Sequence, residues 1–252
     1  MLPRVSSGSL DFDLLVHLAW PAPYQEKLGG WVLRHADGVT KRANSVLPLG
    51  EPEDVDQAID AAERFYAERG LPCVFSMGPG APASLDERLE ARGYRVVDRT
   101  TYLTASLDGP LAEDSEETAP ARVGLYEEPS PEWLAAWWAV DGRYDGEGLP
   151  CATRILRGVP ATYADVRQGG RALAVGRSVL QGDTLGIYCM ATLPEARRRG
   201  LAGAVLRTLT ADGRARGAVR AYLVVIASNA PAIALYTRHG FTPTGGYHYR
   251  VR

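Results

Sequence analysis

The stretch of residues 190–203 constrains the fold of this chain more than any other feature. The apolar run 185–191 leads into it, and a helical pattern with Leu201 and Val205 on one stripe follows. This order predicts a strand, a short turn and a helix. The unpaired N–H groups and the positive dipole end of such a helix suit a phosphate. Arginines 197–199 oppose the dipole, so a bound polyanion explains them better than helix stability; a solvated basic turn is the alternative.

Composition narrows the class of protein. The chain has 252 residues, 46% of them hydrophobic and 23% charged, with a net charge of -2. This balance favours a globular protein with a buried core and gives no electrostatic signature of nucleic-acid binding. No stretch approaches the roughly 20 apolar residues of a membrane span, and the apolar patch at the N-terminus is too short for a signal peptide. We therefore expect no nucleic-acid or membrane partner; a homodimer is compatible with the sequence.

The cysteines and histidines indicate neither a disulfide framework nor a metal site. Cys73, Cys151 and Cys189 lie in or beside apolar runs without paired spacing, which is typical of reduced thiols in a cytoplasmic protein. The histidines are dispersed, with no spacing typical of metal ligands. We expect no metal cofactor.

The first half of the chain, residues 1–107, predicts a helix at 10–20, a hairpin of 31–34 and 43–47, and a helix at 54–69. A buried strand at 71–77, a second helix capped by Ser84 and one or two strands over 95–107 follow. Residues 108–121 are rich in acids and poor in apolar side chains, which indicates an exposed linker.

The second half, residues 122–252, alternates strands and helices in the order β-α-α-β-β-β-α-β-α-β, with a further short strand as an option. Three of these strands, at 162–166, 172–180 and 184–192, precede the basic turn. An apolar strand at 221–227 and a helix opened by Asn229 come after the helix that follows the turn. This order predicts an α/β fold with a mixed sheet.

Two motifs carry a resemblance to a known family. Arg197-x-x-Gly200-x-Ala202 fits the pattern (Gln/Arg)-x-x-Gly-x-(Gly/Ala). The segment 229–241 reads Asn-x-x-Ala-x-x-Leu-Tyr-x-x-x-Gly-Phe and follows the apolar strand directly. Together with the element order, these motifs resemble the two signatures of the acetyl-CoA-dependent GNAT acyltransferase superfamily, over roughly the last 130 residues.

The resemblance implies direct transfer of an acetyl group from acetyl-CoA to an amine of a small molecule, peptide or protein, without a covalent enzyme intermediate. It implies that the first helical turn binds the pyrophosphate and that the end of the preceding strand aligns the thioester. Tyr236 matches the family's general acid, with a tyrosine packed on the helix face as the alternative. The implied cofactor-binding residues are Met190, Ala191, Thr192, Arg197, Arg198, Arg199, Gly200, Leu201, Ala202, Gly203 and Asn229.

The general base and the acceptor site are left open by the sequence. Many family members place a glutamate on the central strand, but residues 187–190 are Ile-Tyr-Cys-Met. Asp141, Asp145 and Glu147 lie in a loop expected to border the acceptor cleft; solvated loop acids or a water chain are the alternatives. Cys189 has no histidine near it in sequence and is interpreted as a packed thiol.

Aromatic and basic side chains are candidates for the cleft wall. The first helix of the second half contains Trp133, Trp137 and Trp138. We expect most of their surface to be buried in the core, and one of them is a candidate for lining the acceptor pocket. The hairpin 31–47, with Arg34, Lys41 and Arg42, is the second candidate, although a solvated charged face is the commoner interpretation.

The two halves share a pattern. Gly70 and Gly93 are separated by the same 23 residues as Gly217 and Gly240, and each interval holds an apolar strand and a helix. This spacing predicts two GNAT-like modules in tandem, with 1–107 degenerate and non-catalytic and 122–252 complete; chance spacing in a βαβα chain is the alternative. The first half has three acids within residues 49–54 in place of the basic turn and Leu89 in place of Tyr236. We therefore expect a single cofactor site.

Two other functions compete with acetyl transfer. The missing strand carboxylate supports a non-catalytic acyl-CoA-binding sensor, although such a sensor has no use for a general acid at Tyr236. A P-loop or Rossmann nucleotide site is disfavoured, because Gly-Lys-Ser/Thr is missing and the glycine pattern differs.

Overall fold

A computed structural model describes residues 10–109, 122–141 and 146–252. The helices are α1 Phe12–Ala19, α2 Val55–Ala67, α3 Ala83–Ala91, α4 Pro131–Asp141, α5 Leu149–Leu156, α6 Leu201–Ala215 and α7 Ala230–Arg238. The strands are β1 Tyr24–Leu28, β2 Trp31–His35, β3 Val46–Pro48, β4 Val74–Met77, β5 Arg95–Ser106, β6 Val123–Tyr126, β7 Thr162–Gln168, β8 Arg171–Gln181, β9 Thr184–Thr192, β10 Arg220–Ile226 and β11 Thr242–Val251. The predicted mixed α/β architecture and the element order of the second half are confirmed.

The strands form one mixed sheet in the order β1-β2-β3-β4-β11-β5-β10-β9-β8-β7-β6. The pairing is nearly palindromic about the antiparallel β5–β11 pair. Parallel β3–β4 on one side corresponds to parallel β9–β10 on the other, and antiparallel β4–β11 corresponds to antiparallel β10–β5. The last strand of each half is therefore inserted beside the other half's strands, so the predicted boundary at 107 is not an edge of the sheet.

Local details differ from the sequence expectations at three places. Strand β1 was not predicted, because its polar sequence Tyr-Gln-Glu-Lys-Leu lies on an exposed edge of the sheet. Ser84 does not cap α3; Pro82 occupies that position and no side chain caps the helix. The predicted strand 43–47 begins only at Val46, because residues 41–43 form a short 3-10 turn. Residues 95–107 hold one long strand, which is one of the two predicted options. Most of the predicted linker, residues 110–121, lies outside the described residues.

Helix α1 packs with the second half of the chain although it precedes the first half's strands. Leu15 and Ala19 belong to the same core as the strands β7–β10. Gln181 Nε2 donates to Leu15 O at 3.0 Å, and Arg177 Nη1 donates to Ala19 O at 3.0 Å. A smaller core lies between α2, α3 and the strands β2–β4. The halves are therefore joined both through the sheet and through α1.

An ion pair also joins α3 of the first half to β11. The buried Arg250 donates from Nε and Nη2 to Asp86, both at 2.9 Å, and His248 lies 2.8 Å from the same carboxylate. These contacts, with Arg250 first, lower the pKa of Asp86 from 3.8 to about 2. The stabilisation is therefore complete above pH 4 and is lost as the pH falls through 2.

We expect Asp86→Asn to remove this acid-sensitive contribution. Asp86 is partly exposed, so solvent screening reduces the pH-dependent part to about 1 kcal/mol. The free energy of unfolding should therefore fall less between pH 4 and pH 2 in Asp86→Asn than in the wild type, as measured by urea denaturation. Parallel pH curves for the two proteins would contradict the assignment.

Candidate active site

The central strands β9 and β10 diverge and open a cavity between them. Their parallel pairing runs from Arg220↔Thr184 to Leu223↔Ile187 and stops there. Beyond this point a cavity of about 380 Å³ opens. Its wall includes residues of both strands together with the C-cap residue of α1 and side chains from α4, α7, β5, β11 and the 3-10 turn after β2. Both halves of the chain thus contribute to one site.

A β-bulge shapes the β9 wall of this cavity. Val175 pairs with Ala191 while Arg177 pairs with Tyr188, so β9 carries one extra residue opposite β8. Cys189 lies in this bulge with φ of +54°, a strained value for a side-chain-bearing residue. A bulge interrupts the ladder locally and re-aims the backbone, and here it does so where Cys189, Met190 and Ala191 line the cavity. Cys189, interpreted from sequence as packed, is half-buried and belongs to this wall.

The basic turn after β9 has the backbone geometry of an anion site. Arg198 and Gly200 both have positive φ, +62° and +72°. Gly200 is the N-cap of α6 and no side chain caps the helix, so the amides of Leu201, Ala202 and Gly203 face outward without a side-chain acceptor. Arg197 Nε donates to Thr192 O at 3.3 Å, so this side chain orders the turn.

The structure groups the predicted cofactor residues into two places. Met190, Ala191 and Asn229 line the cavity, whereas Thr192 and the turn 197–203 are not part of its wall. Thr192 ends β9 opposite Ala174 and accepts the hydrogen bond from Arg197. Arg198 and Arg199 are exposed. The turn therefore lies immediately beyond the end of the β9 cavity wall.

Tyr236 projects from α7 to the cavity. Its side chain is 8% exposed and its ring meets Phe241 edge-on with centroids 6.1 Å apart. Burial raises the pKa of Tyr236 to about 12, so the hydroxyl is protonated at neutral pH. We find no hydrogen-bond partner for this hydroxyl within the described ranges, so it is available as a donor. Asn229 Oδ1 accepts from Ala232 N at 3.2 Å and caps α7 while it also lines the cavity, so the two predicted roles are compatible.

The cavity connects the two faces of the sheet. Helices α6 and α7 share one face, because Arg207 contacts His239 across them at 3.2 Å. Helices α1 and α4 share the other face, where the Trp20 ring meets both Trp137, at 6.3 Å, and Tyr188, at 6.2 Å. A ligand on the turn before α6 and a ligand against these aromatic rings therefore meet at the gap between β9 and β10.

The first half supplies charged groups to the cavity wall. Lys41 and Arg42 of the predicted hairpin line it, whereas Arg34 is buried elsewhere and donates to Ser45. Lys41 Nζ lies 2.9 Å from Asp98 Oδ2. Asp98 was not predicted from sequence; it lies in a second bulge, with φ of +48°, where β5 loses register with β11. In the part of the chain that the structure describes, it is the one carboxylate in the cavity wall.

The remaining sequence candidates fall in different places. Trp133 and Trp137 are buried as expected, and Trp137 also lines the cavity. Glu147 is exposed and is not part of the wall. Asp145 and the side chain of Asp141 lie outside the described residues. Residues 10–109, 122–141 and 146–252 contain no group of three or more His, Cys, Asp or Glu placed to hold a metal ion, and no helix long and apolar enough to cross a membrane.

Comparison with known proteins establishes the family to which this chain belongs. The family model described as "Probable histone acetyltransferase Rv0428c C-terminal" matches residues 15–251. The uncharacterized N-acetyltransferase YobR of Bacillus subtilis is 31% identical over 95% of this chain and 97% of its own length. The chain belongs to the GNAT family of acetyltransferases.

Solved structures agree with this assignment at the level of the fold. A GCN5-related N-acetyltransferase from Kribbella flavida has a TM-score of 0.67 at 19% identity and covers 95% of this chain and 94% of its own. A tandem GNAT protein of the clavulanic acid biosynthesis pathway has a TM-score of 0.62 at 14% identity, over 99% and 89%. The open mixed sheet with diverging central strands is thus the GNAT-like fold.

Proposed function

We propose that this GNAT acetyltransferase uses acetyl-CoA and transfers the acetyl group directly to an amine, without a covalent enzyme intermediate. The observation that carries the proposal is the gap between β9 and β10, where the β9 bulge and the Tyr236 hydroxyl face the same cavity. Acetyl-CoA supplies an activated acyl thioester. The other steps are assigned to residues of this chain.

The cofactor's pyrophosphate is assigned to the outward amides of Leu201, Ala202 and Gly203. The uncapped helix start and the αL conformation of Gly200 fit an anion, because no side chain occupies the approach to these donors. Backbone groups at the bulge near Met190 and Ala191 are assigned to the thioester carbonyl, where donors stabilise the developing oxyanion. Tyr236 then donates its proton to the leaving thiolate of CoA.

Proton removal from the amine is assigned to Asp98, acting through water. Its place in the cavity wall supports the assignment, and its contact with Lys41 Nζ at 2.9 Å holds the carboxylate in position. We expect Asp98→Asn to lower kcat by about 10²-fold, as measured by steady-state kinetics with the amine that is acetylated. Asparagine tolerates the positive φ of this position, so the backbone is preserved. An unchanged kcat would remove Asp98 from the reaction.

We propose that the first half is a non-catalytic GNAT-like module. Its last strand, β5, and the last strand of the second half, β11, have exchanged places in the sheet. The palindromic strand order supports this view, as does the fold of the tandem GNAT protein. The counterpart of the basic turn is unsuited to a phosphate, because Asp54 caps α2 by accepting from Gln57 N at 3.0 Å. The buried Leu89 offers no acid in place of Tyr236.

The test of the proposed activity is thiol release from acetyl-CoA with a panel of amines. The panel contains alkyl amines, amino acids with their amides, and a lysine-containing peptide, since small molecules and peptides are both candidate acceptors. Amine-dependent release with formation of the acetylated product supports transfer. Binding of acetyl-CoA without release for any amine would favour a non-catalytic acyl-CoA-binding module instead.

A further inference from the structure

Arg42 is a cation on the side of the cavity away from the cofactor turn. It lies in the short turn Lys41–Ala43 between β2 and β3. Its guanidinium carbon lies 5.3 Å from the centroid of Trp20 and 5.9 Å from that of Tyr188. These rings belong to the α1 and α4 face, opposite α6 and α7. Arg42 therefore faces the compartment that an acceptor would enter.

No carboxylate neutralises Arg42 among the residues that the structure describes. The groups around the guanidinium are the phenols of Tyr247, Tyr249 and Tyr188, and its Nε is buried without a hydrogen-bond partner. The neighbouring Lys41 already holds the cavity carboxylate, Asp98. Buried charges in proteins are normally paired with an opposite charge or fully hydrogen-bonded. The guanidinium is hydrogen-bonded to the phenol of Tyr247 but has no carboxylate partner among the described residues, so it indicates a site for an anion at the cavity wall.

A buried cation, Arg34, increases the positive potential behind this wall. Arg34 is 1% exposed, and its positive charge repels that of Arg42. Arg34 donates to Ser45 O at 3.1 Å and to Ser45 Oγ at 2.7 Å, and neither acceptor carries a charge. Asp13 is the acid near Arg34, but its carboxyl oxygens accept hydrogen bonds from Gly80 N at 2.7 Å and Tyr102 Oη at 3.3 Å. The wall thus favours an anionic ligand over a cationic one.

We propose that Arg42 binds a carboxylate of the acceptor, so that the acceptor is an amine that also carries a carboxylate. This inference rests on the proposed function and names its substrate class. The planar fork of a guanidinium matches a carboxylate with two parallel hydrogen bonds. The apolar part of the acceptor then packs on the cavity rings Trp20, Tyr188 and Trp137. The first two lie beside Arg42, and Trp137 lies beside Trp20. A lysine-rich peptide would instead approach a wall of its own charge.

The test compares two probes that differ in charge and little in shape. The full chain, saturated with CoA, is titrated calorimetrically with phenylacetate and with phenylacetamide. We expect phenylacetate to bind at least roughly tenfold more tightly to the wild type. Arg42→Met should bring the two dissociation constants together, and Arg42→Lys, which keeps the charge without the fork, should retain part of the difference.

The controls separate this site from the fold and from the cofactor site. Arg69→Met removes another guanidinium that stacks on an aromatic ring, 3.6 Å from the Phe65 centroid and outside the cavity wall, and should keep the full preference. Stabilisation by acetyl-CoA reports whether each variant is folded. If Arg42→Met does not fold, the binding of the two probes is compared between the wild type and Arg42→Lys.

Each outcome bears on one proposal. Equal binding of the two probes by the wild type, no binding of either, or a preference that survives in Arg42→Met overturns the anion site while leaving acetyl transfer intact. Turnover of the lysine peptide in preference to the carboxylate-bearing amines overturns it as well, in favour of a peptide acceptor. Failure to bind acetyl-CoA or to release thiol defeats the proposed function itself.

Discussion

Replacing Tyr236 by Phe is expected to lower kcat by about 10²–10⁴-fold, the range of positioned general acids, while acetyl-CoA still binds. The substitution removes the hydroxyl alone and keeps the ring that packs on Phe241. The hydroxyl is the proposed donor, and it has a proton to give because burial raises the pKa of Tyr236 to about 12. Without it the thiolate must leave unprotonated or take a proton from water. Steady-state kinetics with the best amine of the panel and a calorimetric titration with acetyl-CoA measure the two effects.

The same variant also distinguishes a catalytic from a packing role. A tyrosine that only fills space would lose little rate as Phe and would lose some stability. Tyr163→Phe is a matched control, since Tyr163 is buried outside the cavity wall and its hydroxyl donates to Leu156 O at 2.7 Å. Its loss should cost stability and leave the chemical step in place. A full rate for Tyr236→Phe would assign the proton to another donor.

Gly200→Glu is expected to abolish binding of acetyl-CoA while leaving the rest of the fold in place. Gly200 has φ of +72° at the start of α6, where a side chain costs about 1–2 kcal/mol. A carboxylate there also faces the pyrophosphate that the first-turn amides are proposed to bind. At about 100 times its dissociation constant, acetyl-CoA should stabilise the wild type by roughly 2.7 kcal/mol. The melting temperature of Gly200→Glu should not respond to the same concentration.

Two further variants at this position separate strain from charge. Gly200→Gln has a side chain of similar size without the charge, and Gly200→Asn tolerates the left-handed conformation. We expect Asn to retain most of the acetyl-CoA response, Gln to retain part, and Glu to lose it. An undiminished response in Gly200→Glu would place the pyrophosphate elsewhere in the chain.

The sequence predicted the parts of the site that are local. A strand, a turn and a helix within residues 184–215 form where the apolar pattern places them, because the period of the pattern and the glycine at the helix start determine them together. Asn229 caps α7 as its motif indicates, and Tyr236 lies on the buried side of the same helix. Such features depend on neighbours a few residues away, and a single sequence contains that information.

The parts that were missed depend on contacts between distant segments. Asp98 reaches the cavity because β5 is inserted between β10 and β11, and nothing within the β5 sequence specifies that neighbour. Its positive φ arises from a bulge, which apolar alternation does not reveal. Tyr247 and Tyr249 line the cavity for the same reason, through pairing of β11 with β5. Edge strand β1 was not predicted, because strand patterns are recognised by their buried side chains and β1 is mostly exposed.

The shared sheet also explains why the first half matters to a site whose motifs lie in the second. Lys41, Arg42 and Asp98 come from the first half and Tyr236 from the second, and all four line one cavity. A fragment starting at residue 122 would lack β5 and therefore expose the edges of β10 and β11. Functional tests consequently require the full chain.

We propose that the chain has one acetyl-CoA site, at the turn before α6 and the gap between β9 and β10. Calorimetric titration of the full chain with acetyl-CoA tests it most directly. The structure predicts one molecule bound per chain, because the turn before α6 is basic and uncapped while its counterpart before α2 is capped by Asp54. Two equivalent sites per chain, or no heat of binding at millimolar acetyl-CoA, would contradict the account.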